Sequence, residues 1–358
     1  MVSPDDSART PTIVALVLAG GTGTRLYPAS RSTRPKQFLP LLGENTLLER
    51  TVARAAFADH VVVSTRPAFE ADVRDLVPDA DVVVEPVAKD TGPALAYATH
   101  RIERLYGDDV VVVVLPSDHH VADDDAFAET LVRGARLAHD EGRLVAFGVE
   151  PTRPETGYGY IEPGAPLSLG FELAAFHEKP DAETATRYLD EGYLWNAGTF
   201  AWTPRAFRDA AVDSPLAPLV EALERGDPDA GFDAVEPTSI DYAVMERVAD
   251  AAVVPLDVAW DDLGAWDALA RVLDADADGN VVHAPTGDES DGERDDTDGA
   301  LFVDSSDTIV VSDGPHVSVV GVDGLAVVVW DDRVLVVPAD EAQRVRDVVS
   351  RLRDRGEF

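Results

Sequence analysis

The run Ile13-Val14-Ala15-Leu16-Val17-Leu18 passes directly into Ala19-Gly20-Gly21-Thr22-Gly23-Thr24-Arg25-Leu26. Apolar residues without a polar interruption, closed by a glycine-rich turn, read as a buried strand that delivers a polar loop at its carboxyl end. Small residues in such a turn let backbone N–H groups approach a phosphate or a base. The turn is not the dinucleotide fingerprint, because the third glycine is missing after Gly21 and Gly23. No Gly-Lys-Ser/Thr follows to make a P-loop.

Outward from this strand, short aliphatic runs alternate with helical patterns. Thr46 to Phe57 opens with the capping-box order Thr46-Leu47-Leu48-Glu49 and places Leu48, Val52 and Ala55 on one face. Val61 to Ser64 and Asp81 to Val84 read as strands. Thr91-Gly92-Pro93 starts a helix with Leu95, Ala98, Ile102 and Leu105 on one side. Val110 to Leu115 is aliphatic throughout and ends at Pro116-Ser117-Asp118, as a central strand does that carries a ligand loop. The expectation is an α/β fold, a Rossmann-like domain with a mixed or parallel sheet.

Beyond Asp274 the pattern changes. Thr286 to Gly299 is almost devoid of apolar residues and dense in Asp, Glu and Gly. Short β-like runs follow at 300–303, 308–311, 317–322, 325–330 and 334–337. A last helix, Ala339 to Arg353, carries Ala342, Val345, Val349 and Leu352 on one stripe. The predicted organisation is a tail over 1–11, a large domain over 12–273, an acidic linker or insertion over 274–299, and a small β-rich domain over 300–358.

Composition narrows the function. With 67 acidic and 30 basic residues the formal net charge is -37, which repels nucleic acid and anionic membrane surfaces. A hydrophobic content of 45% nevertheless supports a folded body, so the acid coats a surface. Such a surface suits molar salt, where the Debye length shrinks to about 3 Å and self-repulsion is screened. Cysteine is absent, which excludes disulfides and thiolate chemistry. Nothing approaches the roughly 18 uninterrupted apolar residues of a membrane helix, and the first residues lack a signal-peptide pattern, so a cytoplasmic location is expected.

Four cations, Arg25, Arg31, Arg34 and Lys36, fall within twelve residues of this acidic chain. Ion pairing with nearby carboxylates is one reading. A polyphosphate site is the other, since such cations neutralise charge as a phosphoryl bond breaks. Only three lysines occur, Lys36, Lys89 and Lys179, so their positions are informative.

The run Leu18 to Pro40, LAGGTGTRLYPASRSTRPKQFLP, resembles the signature of nucleotide-sugar pyrophosphorylases, and its SRSTRPKQ portion resembles mannose-1-phosphate guanylyltransferases in particular. Further matching blocks follow in order: Glu85-Pro86 with Asp90-Thr91-Gly92-Pro93-Ala94; Leu115 to His119; Thr156 to Ile161; Glu178-Lys179-Pro180; Trp195-Asn196-Ala197-Gly198; and Trp260 to Trp266.

The resemblance implies GTP and mannose 1-phosphate as substrates, with Mg²⁺ or another divalent cation as cofactor. Arg25 and Lys36 would hold the triphosphate as catalytic residues. Leu18, Ala19, Gly20, Gly21, Gly23, Thr24, Glu85, Thr91 and Gly92 would line the nucleotide. Gly159, Glu178, Lys179 and Asn196 would bind the sugar phosphate, and Asp118 and Asp262 the metal, whose hard shell prefers oxygen. Structural alternatives stay open: Asp118 as a helix cap, Asn196 as a turn residue before Gly198, and His119 and His120 as loop structure rather than metal ligands. A homodimer is left open. Rival functions are a uridylyl- or thymidylyltransferase acting on glucose 1-phosphate, and a non-catalytic sugar-nucleotide sensor. Alanine at 265 and glycine at 92 depart from the family pattern without removing a charged group.

Overall fold

The computed structural model describes residues 11–284 and 299–358. The predicted tail, but for its last residue, and residues 285–298 of the predicted acidic linker lie outside the described residues.

The chain forms two compact units. The first comprises the segment up to Gly20, Val52–Pro116 and Val121–Ala259. Its strands are β1 (Thr12–Leu18), β2 (His60–Thr65), β3 (Asp81–Val84), β4 (Val110–Pro116), β5 (Leu144–Val149), β6 (Tyr160–Pro166), β7 (Phe171–His177), β8 (Leu194–Trp202) and β9 (Ala251–Leu256). They form one nine-stranded sheet in the order β3-β2-β1-β4-β8-β5-β9-β7-β6. β1, β2, β3 and β4 run parallel, as the alternating pattern predicts. β8 is inserted antiparallel between β4 and β5, which makes the sheet mixed. Every aliphatic position of β4 from Val110 to Leu115 is buried, as a strand covered on both faces requires.

The capping box forms as read. Thr46 N–H donates to Glu49 Oε2 at 2.8 Å, and Glu49 N–H donates to Thr46 Oγ1 at 3.2 Å, ahead of the helix Leu47–Arg54. In the helix Thr91–Tyr106, Leu95, Ala98 and Ile102 are buried against the sheet core. Leu105, the last member of the predicted stripe, is 52% exposed in the final turn.

The second unit comprises Gly21–Thr51, Ser117–His120 and Trp260–Phe358. Its strands are β10 (Val281–His283), β11 (Ala300–Val303), β12 (Ile309–Ser312), β13 (Val317–Val320), β14 (Leu325–Trp330) and β15 (Arg333–Pro338). β10, β12 and β14 stack in parallel, as do β11 and β13, in the manner of rungs. β14 alternates, with Ala326, Val328 and Trp330 turned inward. The final helix is shorter than expected: Ala339–Arg344 is 3₁₀ and only Val345–Asp354 is α-helical. The inner positions of β14 and of the α-helical Val345 and Val349 join Leu26, Leu39, Leu41 and Trp266 in one core, which fixes the segment carrying the cations.

Candidate functional site

In the second unit, a 3₁₀ turn, Thr24–Leu26, follows the glycines, and another, Lys36–Phe38, presents Lys36. Gly23 has φ 59°, and a Cβ there would lie 2.3 Å from Lys36 Cβ, so only glycine lets the lysine stem cross the turn. Gly21 and Gly23 point their carbonyls inward, accepting from Gln37 Nε2 at 3.1 Å and Ser30 Oγ at 2.6 Å. The Lys36 side chain is 6% exposed. Its ammonium lies 3.0 Å from Asp118 Oδ2 and donates to the carbonyl oxygen of Asp262 at 2.7 Å. Three predicted residues from three distant parts of the sequence therefore meet at one nitrogen.

Burial pushes the Asp118 carboxyl up, but the Lys36 ammonium and His119 more than offset it, leaving the group below its ordinary range. Asp118 does not cap the next helix; Asp123 does, accepting from Ala126 N–H at 3.0 Å. The Asp262 turn is built by its neighbour. Buried Asp261 pairs with Arg271 at 2.6 Å and accepts from Leu263 N–H at 2.9 Å, while Asp262 Oδ1 accepts from Gly264 N–H at 2.9 Å. Leu263 is held at φ 44°, a region that disfavours a branched side chain. His119 accepts from Trp260 Nε1 at 3.2 Å, as a loop residue does.

The four clustered cations separate. Arg31 pairs with Asp332 at 3.0 Å, and Arg34 with Asp331 at 2.7 Å, so for these two the ion-pair reading holds. Arg25 donates to the neutral amide of Gln343 at 2.7 Å. Among the described residues no carboxylate stands within ion-pair distance of it, so its charge stays available to an anion.

In the first unit, Glu85 follows β3, anchored by its N–H to Thr65 O at 3.0 Å. The residue is 5% exposed, and its Oε2 has no hydrogen-bond partner among the described residues. Oε1 would touch a Cβ on Gly20 at 3.3 Å, so that glycine keeps the approach to the carboxyl open. Burial raises its pKa from 4.5 to about 7, against the pull of Arg66. A raised carboxyl contributes its stability below pH 4.5 and loses it as pH rises through 7. Leu18 and Ala19 end β1, with Ala19 N–H donating to Ser64 O at 2.8 Å and Ala19 O accepting from Thr65 Oγ1 at 2.9 Å. The amides of Thr91 and Gly92 are engaged by Asp90 Oδ1 at 2.7 Å and Thr238 O at 2.9 Å. Asp90 itself sits at φ 71°, ψ -179°, a conformation normally left to glycine.

The predicted sugar-phosphate residues assemble around β8. Asn196 N–H donates to Gly159 O at 2.8 Å, and a Cβ on Gly159 would meet Glu178 Oε2 at 3.1 Å. Lys179, at φ 33° and with a side chain 60% exposed, pairs with Glu178 at 2.8 Å. The turn role of Asn196 is real: its Oδ1 accepts from Gly198 N–H at 3.0 Å. Its Nδ2 donates to Asp241 Oδ1 at 3.0 Å, a partner the sequence reading missed. The signal was a carboxylate set beside the apolar residues Ile240, Ala243, Val244 and Met245, each of which is buried. Lys89, by contrast, is structural, donating to the carbonyls of Phe232 and Val235 at 2.8 and 2.9 Å.

Residues 14–279 match the family model for nucleotidyl transferases, and residues 298–352 that for the MannoseP isomerase/GMP-like beta-helix domain. The xanthan biosynthesis protein XanB of Xanthomonas campestris pv. campestris (strain B100) is 39% identical over 96% of this chain and 74% of its own length. A mannose-1-phosphate guanylyltransferase of Sinorhizobium fredii is 38% identical over 96% of this chain and 68% of its own. A solved structure from Thermus thermophilus, described as a mannose-1-phosphate geranyltransferase, superposes with a TM-score of 0.86 at 37% identity, covering 96% of this chain and 99% of the other.

Proposed function

Because this chain belongs to the nucleotidyl transferase family, we propose that Lys36, Asp118 and Asp262 form the phosphate-handling end of its reaction. The enzyme is a mannose-1-phosphate guanylyltransferase, converting GTP and mannose 1-phosphate to GDP-mannose and pyrophosphate. An oxygen of the sugar phosphate attacks the α-phosphorus of GTP; the bond from that phosphorus to the bridging oxygen breaks, and pyrophosphate leaves with the electron pair. The nucleophile is already anionic, so no general base is required, and the protein's task is alignment and charge neutralisation.

The observation that carries this reading is the convergence of Asp118 and Asp262 on the Lys36 ammonium. A carboxylate oxygen of Asp118 and the main-chain carbonyl of Asp262 already meet one cation there, and a hard divalent ion, which the Asp118 and Asp262 carboxylates would hold, takes the same oxygen chemistry. When bound, that ion offsets negative charge on the phosphate oxygens. Lys36 and Arg25 bind the triphosphate, Arg25 with a charge that no described carboxylate cancels. Glu178, Lys179 and Asn196 bind the sugar phosphate, Lys179 exchanging Glu178 for the 1-phosphate.

The test is a matrix of GTP, ATP, UTP, CTP and dTTP against mannose, glucose and N-acetylglucosamine 1-phosphates in molar potassium chloride, read by pyrophosphate release. GTP with mannose 1-phosphate should exceed every other pair in kcat/KM by at least about tenfold, or roughly 1.4 kcal/mol. A preference for UTP or dTTP with glucose 1-phosphate would overturn it.

Guanine carries adjacent N1–H and N2–H donors, which an ionised Glu85 accepts as a pair. Because its carboxyl titrates near 7, the KM for GTP should fall about tenfold between pH 6 and pH 8 as the acceptor ionises. Glu85→Gln should flatten that profile; an unchanged slope in this variant would remove Glu85 from base recognition.

A further inference from the structure

Asp241 opens a π-helical turn, Asp241–Met245, whose Ala243, Val244 and Met245 are buried in the main core. The turn is thereby fixed against the sheet, and the carboxyl is brought to Asn196 near the start of β8. A backbone N–H can only donate, so Gly198 requires the oxygen of the Asn196 amide to face it. Nδ2 must then face Asp241, where an ionised carboxylate can only accept.

We propose that Asp241 is a positioning residue of the sugar-phosphate pocket, locking the Asn196 amide so that one Nδ2 hydrogen and one Oδ1 lone pair remain to meet a sugar hydroxyl. This rests on the assignment of Glu178, Lys179 and Asn196 to that pocket. The surroundings support it. Asp241 shares its setting with Glu178 and Lys179 from the turn after β7 and with Asn196 from β8. Burial, then Glu178, raise its carboxyl to about 6, while Asn196 and Lys179 pull it back. Glu246, beyond the same turn, is also raised by burial and by Glu178, against Arg247 and His177. Acidic groups thus outnumber the one lysine that a phosphate would claim, and the hydroxyl donors of a sugar are the chemistry that satisfies them.

Kinetics with each substrate varied in turn test the inference on the full chain. Asp241→Ala should raise the KM for mannose 1-phosphate about tenfold, the scale of one lost buried hydrogen bond, with the KM for GTP within about twofold. Asp241→Asn keeps an acceptor for Nδ2 and should return to within about threefold of the parent. Should the alanine variant fail to fold, Asp241→Ser, polar but too short to reach Asn196, replaces it with the same expectation. An unchanged KM for mannose 1-phosphate, or equal losses with both substrates that asparagine does not rescue, would overturn the proposal. Asn196→Ala and Lys179→Met serve as references: if they too leave that KM unchanged, the pocket assignment itself falls. If they raise it and Asp241→Ala does not, only the role of Asp241 falls.

Discussion

Asp262→Asn should lower kcat by about 10³-fold while leaving the melting temperature within a degree or two of the parent, the scale for one charged contact in a preorganised phosphoryl site. Asparagine is isosteric and its Oδ1 can still accept from Gly264 N–H, so the turn set by Asp261 and Arg271 survives. What disappears is a negative charge. The residual rate should require more Mg²⁺ for half-maximal activity. Asp118→Asn should show the same kinetic loss together with a lower melting temperature, because it strips the carboxylate from a lysine whose side chain is only 6% exposed. The side chain of Asp118 is 38% exposed, so solvent softens that penalty. Parent-like turnover at limiting Mg²⁺ in both variants would sink the assignment of these aspartates.

The two lysines should fail in different ways. Lys36→Met should weaken GTP use and lower kcat together, since charge on the triphosphate grows as pyrophosphate departs. Lys179→Met should chiefly raise the KM for mannose 1-phosphate. Each loss is on the order of 2–4 kcal/mol, with Lys36 at the upper end because it works from a buried position and Lys179 from an exposed, screened one. Methionine keeps the stem that crosses Gly23, so packing there is retained. Lys36→Met should also depress the melting temperature, as Asp118 loses its counter-charge. Should Lys179→Met move only the GTP parameters, the sugar-phosphate group around Glu178, Lys179 and Asn196 is misplaced.

Local rules were legible where neighbours in sequence are neighbours in space. The buried run before Gly20, the Thr46/Glu49 capping box and the fully aliphatic β4 follow from periodicity and capping, both of which act within a few residues. The C-terminal runs at 300–303, 308–311, 317–322 and 325–330 were legible as strands, but their arrangement as rungs was not. β10, β12 and β14 contribute only three, four and six residues each. Their parallel stacking is a non-local pairing that no regular repeat advertises.

The same divide runs through the site. The residues alone pointed to a glycine-rich turn followed by a cluster of cations, as phosphate chemistry needs; it was the resemblance of the motif blocks to the family that marked Arg25, Lys36, Asp118, Lys179, Asn196 and Asp262. Composition and pattern alone also established the acid coat, the absence of thiol chemistry and the α/β class. Which charges are committed was settled only in the folded chain. Folding ties Arg31 and Arg34 to Asp331 and Asp332 but leaves Arg25 on a neutral amide. It spends Lys89 on carbonyls, buries Asp261 against Arg271 while its neighbour Asp262 offers its carbonyl to Lys36, and sets Asp241 on Asn196. The physical reason is range: an ion pair or hydrogen bond is decided within about 3–4 Å of space, and Lys36 and Asp262 are 226 positions apart in sequence.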